Sequence, residues 1–134
     1  MNTPLPASRL LPAIAIYAGA LLIGLSLVSF PASSDILRTK HGFSDLAYGS
    51  IYLPQLVAAI LGAVGGGAAV GRYGLRVMYL ISIACFALSQ ILLALSWFYA
   101  PSVALLVVMG ATAFFGFGFG FGGGPLNGFL PLLR

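Results

Sequence analysis

Charge is what this chain most lacks. Only 6% of its 134 residues are charged and glutamate is absent, whereas a soluble domain carries about 25% charged residues. With 60% hydrophobic residues beside so little charge, the chain cannot present a normally hydrated surface, and its solvent must be largely lipid. Cysteine is limited to Cys85, which excludes an intrachain disulfide and any metal-ligand spacing. Lying in an apolar run, Cys85 reads as a small inert hydrophobe. No basic run and no basic stripe interleaved with aromatics is present, so nucleic acid is not an expected partner. Paired carboxylates, a nucleophile beside a base and a phosphate-cradling loop are also missing, so neither an enzyme nor a cofactor is expected. The glycine spacings between Gly116 and Gly124 lack the preceding strand and following acid that a nucleotide site needs.

What is there is length without charge. A bilayer core needs about 20 apolar residues in helical form. Residues 10–31, 47–70, 77–98 and 102–127 meet that need. The expected fold is therefore an all-α integral membrane protein, one transmembrane domain over residues 1–134 with four membrane helices. The first run exceeds the 7–15-residue core of a signal peptide and is expected to stay uncleaved.

Loop charge gives the orientation. Arg9, Arg72, Arg76 and Arg134 fall on one side of a four-span chain, Arg38 and Lys40 on the other. By the positive-inside rule the four-arginine side is cytoplasmic, which places both termini in the cytoplasm of a multi-pass inner-membrane protein. Both acids, Asp35 and Asp45, lie in the outer loop with His41, where Asp35 and His41 are expected to be solvated. Trp97 and Tyr99 stand where an interfacial aromatic belt belongs.

Small residues recur at helical spacing. Ala59, Ala63, Gly67 and Gly71 line one face of the second span, and Ala58, Gly62 and Gly66 form the neighbouring ridge. In the fourth, Gly116, Gly120 and Gly124 form one ridge, Gly118 and Gly122 another. Such faces let helix backbones approach closely in lipid. Phe115, Phe117, Phe119 and Phe121 interleave with the glycines. A lone strand cannot cross a bilayer, so the alternation reads as a helix with aromatic knobs. Gln55 and Gln90 are expected to be interhelical hydrogen-bond partners.

The link Gly67-Ala68-Ala69-Val70-Gly71-Arg72-Tyr73-Gly74-Leu75-Arg76 resembles the loop between the second and third helices of major facilitator superfamily transporters. Gly67, Arg72, Gly74 and Arg76 match its glycine and basic positions, while Gly71 stands in place of the family's aspartate and Leu75 in place of a basic residue. The approach Gly42-Phe43-Ser44-Asp45-Leu46-Ala47-Tyr48-Gly49 is similar to the family's outer loop. The run from Thr112 to Gly120 resembles its fourth helix, with Thr112 where an arginine often stands, and Gly124-Pro125-Leu126-Asn127 resembles that helix's polar end.

The resemblance implies a secondary transporter of a small solute, of which this chain covers the first four of twelve helices, so a fragment or truncated form is expected. It also implies a substrate path along the first and fourth helices, with Tyr17, Ser26 and Asn127 as polar candidates. The expected partners are the lipid bilayer, the solute, and a second chain or oligomer. A small multidrug carrier would need a membrane-embedded glutamate, which is missing. The competing reading is a non-transporting membrane subunit that packs through its glycine faces.

Overall fold

The computed structural model describes the backbone of residues 7–129 and the side chains of residues 13–123. Among the described residues every regular element is a helix: α1 (Ala7–Ala32), α2 (Ser34–His41), α3 (Asp45–Ser50), α4 (Tyr52–Leu95), a 3-10 turn (Ser96–Phe98) and α5 (Pro101–Phe129). Three helical stretches are long and apolar enough to cross a membrane.

α4 is not one straight rod. Gly74 interrupts it with non-helical angles, φ 76° and ψ 159°. Were α4 continuous, Gly62 and Ser82 would lie about 30 Å apart at 1.5 Å per residue. Instead, Gly62 abuts the Phe117 backbone of α5, and Ser82 donates a hydrogen bond to Gly118 of the same helix. The chain therefore doubles back at Gly74 into two arms, residues 52–73 and 75–95. The sequence reading placed a six-residue link here; the helices instead run up to Gly74 from both sides.

Contacts fix the directions. Gln55 meets Gly116 and Ala59 meets Gly120, so the first arm runs parallel to α5. Ser89 bonds Ala111 and Ser82 bonds Gly118, so the second arm runs antiparallel to it. On α1, Ala15 accepts a 2.6 Å bond from the Tyr79 hydroxyl, while Ser29 shares a cavity with Gln90 and Trp97. α1 is thus parallel to the second arm. The start of α1, the Gly74 turn and the end of α5 gather at one end of the bundle, α2, α3 and the 3-10 turn at the other.

The core is aromatic and lies nearer that second end. Phe115 meets Phe30 of α1 and Phe86 of α4 edge-on, at 5.9 and 5.4 Å between ring centroids. Ile51, Ala104, Val108 and Ala111 close around them. Outward positions remain apolar: Leu56, Ile60 and Val64 are 61%, 65% and 70% exposed. Such a surface suits hydrocarbon rather than water.

The stretch between α1 and α3 is more ordered than its polar composition suggests. α2 carries Asp35 in its first turn and Arg38, Lys40 and His41 in its last, the arrangement that complements the helix dipole. Gly42 ends it with φ 66°, a left-handed cap that glycine adopts at low cost. Ser44 then caps α3 by accepting the Ala47 N–H at 3.2 Å. Arg38 pairs with Asp45 at 2.6 Å, but both groups are exposed and the pair contributes only about 0–1 kcal/mol.

His41 corrects the expectation of a solvated loop residue. It is 6% exposed and its ring lies 5.6 Å from that of Phe43. Burial, and then the Lys40 charge, lower its pKa below the ordinary 6.5. The fold thus favours neutral imidazole, and this contribution is complete above about pH 6.5 and is lost as pH falls through the lower folded value. Acidification through and below about pH 6.5 is expected to loosen α2 and shift Trp97 fluorescence, and His41→Gln should flatten that profile.

Candidate functional site: a helix clasped by two arms

Close backbone packing among the described residues surrounds α5. Glycines two residues apart point to nearly opposite sides of a helix, so the even-numbered run from Gly116 to Gly122 provides two bare flanks. Gly116 and Gly120 press against the backbone of the first arm at Gln55, Ala59 and Ala63. Gly118 and Gly122 press against the second arm at Ser82 and Cys85. From the opposite side, Gly62 meets Phe117 and Phe121, and Gly66 meets Phe121. The phenylalanines stack along α5 at i, i+4, Phe117 on Phe121 at 5.2 Å and Phe115 near Phe119 at 6.3 Å.

Hydroxyls tie the clasp together. Ser82 donates to the Gly118 carbonyl and Ser89 to that of Ala111, each at 2.7 Å and buried. Thr112, fully buried, donates to the Ile51 carbonyl across the helix contact, with the Met109 carbonyl of its own helix 2.9 Å away. This neutral hydroxyl joins α5 to the start of α4. Near the far end, Tyr48 donates to the Phe30 carbonyl at 3.1 Å and stands 2.8 Å from the Tyr52 hydroxyl. Loss of an interhelical hydroxyl in a membrane bundle costs about 0.6–1.7 kcal/mol. Ser89→Ala is expected to lower stability by that amount in detergent unfolding. Ser50→Ala, which removes only a local bond to Ala47, should change it less.

The residues singled out in the sequence are divided by the fold. Gly74 is the reversal itself, with Arg72 and Arg76 exposed beside it. The Arg72 guanidinium lies 5.5 Å from the Tyr73 ring. Both acids of the chain, Asp35 and Asp45, are at the opposite end, so no acid of this sequence reaches these arginines. Gly67 and Gly71 are exposed, with open space where a Cβ would stand. Ala59 and Ala63 meet α5 through their backbones, while the close approach from the first arm uses the neighbouring ridge at Gly62 and Gly66. Gly67 instead borders a cavity of about 520 Å³ between the first arm and α5, beside Val70, Phe119 and Gly123.

Tyr17 and Ser26 do not share a face. Nine helical residues apart, they point to opposite sides of α1: Ser26 is buried and Tyr17 is 69% exposed. Gly124 and Asn127 belong to α5, but their side chains lie outside the described residues, as do those of Arg9 and Arg134. Gln90 corrects another expectation: its Nε2 is buried without a hydrogen-bond partner. Sequence reasoning missed Thr112 as a cross-helix donor. It also missed the common face of Ser82, Ser89 and Ser96, although their seven-residue spacing carries that signal.

Among the described residues no group of His, Cys, Asp or Glu is placed to hold a metal ion. No family model, curated protein or solved structure matches the chain.

Proposed function

We propose that this chain forms four spans of a secondary transporter of the major facilitator type, moving a small solute across the inner membrane. The observation that carries the proposal is the hairpin at Gly74 whose two arms clasp a glycine-flanked helix. In this reading α1, the two arms of α4, and α5 are the four spans, and the Gly74 turn, with Arg72 and Arg76, faces the cytoplasm. The parallel first arm and α5 touch through backbone at Gly116 and Gly120, a smooth contact along which helices can slide during alternating access.

Tyr17, on the open face of α1, is the proposed path residue among the described ones, and Asn127 is its proposed counterpart on α5. Ser26 faces the bundle and would act on packing. Among Asp, Glu, Lys, Arg and His, the four proposed spans carry only Arg9, Arg72 and Arg76, at their cytoplasmic ends, so a coupling acid is absent and would have to come from outside them. That same absence favours a second reading, a non-transporting subunit that packs against a larger complex.

Two measurements separate these readings. An N-terminal tag and an immunoblot of membranes give the size of the native product. A band near three times 13.9 kDa, with solute uptake by that product, supports the transporter. A band at the calculated mass, with no uptake from a broad solute panel, supports the subunit.

A further inference from the structure

At the end of the bundle opposite Gly74, a cavity of about 340 Å³ opens between α1, α2 and the second arm of α4. That volume falls within the range of small-molecule sites. Leu37 and Leu93 make its walls apolar, and Ser29, Ser33, His41 and Gln90 supply its polar groups. The serine hydroxyls are already committed to the carbonyls of Ser26 and Ser29, at 2.8 and 2.7 Å.

Gln90 is not so committed. Its Nε2 is buried and unpartnered, a costly condition that a leucine of similar volume would avoid. Gln90 lines the cavity, and its amide nitrogen carries two N–H donors with no acceptor on the protein. At the rim is Trp97, with the Lys40 ammonium 3.1 Å from its ring centroid. The cavity also lies where α1 ends, the depth at which an interfacial tryptophan meets lipid ester groups.

We propose that this cavity binds an acyl carbonyl, with Gln90 donating to the oxygen, Leu37 and Leu93 holding the chain, and Lys40 favouring an anionic head. A free carboxylic acid and a phospholipid ester both carry this group. The proposal goes beyond the transport reading and does not depend on it.

Trp97 is the sole tryptophan and reports directly on the rim. The full chain, purified in detergent, would be titrated with octanoate and separately with phosphatidylcholine brominated on its acyl chains, while Trp97 emission is followed. A saturable change is expected, weakened about tenfold or more in Gln90→Leu, the scale of one lost buried hydrogen bond. Gln90→Leu should be at least as heat-stable as the parent, because it removes an orphan donor. Leu93→Phe, which fills the cavity without touching the amide, should weaken binding independently. Saturation by octanoate alone identifies the free acid, and saturation by the brominated lipid alone identifies the ester; either supports the site. No saturable change with either probe, or unaltered affinity in both variants, overturns it.

Discussion

Replacing Gly120 with leucine is expected to abolish the folded bundle. A Cβ on this residue would land on the Ala59 carbonyl oxygen and within 2.7 Å of the Ala63 backbone nitrogen. Neither atom can move by changing a rotamer, so the two helices would have to separate. Separation would weaken the neighbouring contacts of Gly116 with Gln55 and of Gly62 with Phe117. In lipid little hydrophobic drive restores the contact, because the tails solvate apolar side chains equally well. Gly120→Ala is expected to cost about 1–3 kcal/mol, the usual range for overpacking, and leucine substantially more. Gly65, with nothing within 4 Å of its Cβ position, is the control. There alanine should be neutral or gain up to about 1 kcal/mol from helix propensity. Thermal unfolding in detergent, with membrane accumulation as a second readout, distinguishes these outcomes.

Gly74→Val is the second substitution of large expected effect, for a different reason. Nothing lies within 4 Å of the Gly74 Cβ position, so crowding is not the obstacle. The obstacle is the backbone: φ 76° with ψ 159° is a region essentially reserved for glycine. Alanine there costs about 1–3 kcal/mol, and valine more because its branched Cβ narrows the allowed backbone further. Relief comes by taking helical angles, which would straighten α4 and draw residues 75–95 away from α5. The Ser82–Gly118 and Ser89–Ala111 bonds would then break. Gly71 also has open space at its Cβ position, but without a positive φ. Gly71→Ala should therefore be tolerated, and the difference between the two alanine variants isolates the conformational cost of the reversal.

Long uncharged runs made the long apolar helices legible, since their length and composition suit crossing a membrane. Gly74 was legible as a turn because it stands between Arg72 and Arg76 after a long apolar stretch. The glycine ridges of α5 were legible from their four-residue spacing. The first arm shows where such reading stops. Its two small-residue ridges are adjacent on the helix surface, and only the docking of α5 selects Gly62 and Gly66 over Gly67 and Gly71. His41 escaped for a related reason: α2 is polar in composition, and the burial of His41 follows from how α2 packs at the end of the bundle. Gln90 reads as a hydrogen-bonding residue in any apolar helix, but whether a partner lies within reach depends on the side chains across the gap. Thr112 is inconspicuous among apolar residues until Ile51 is brought opposite it.

The central claim, a hairpin at Gly74 that leaves the two ends of the bundle on opposite sides of the membrane, can be tested by thiol labelling. Ile36→Cys and Tyr73→Cys, each in a Cys85→Ala background, place single thiols at exposed positions at the two ends. A membrane-impermeant maleimide applied to intact cells should label residue 36 at once and residue 73 only after permeabilisation. Equal labelling of both residues in intact cells, or labelling of residue 73 alone, would contradict the account.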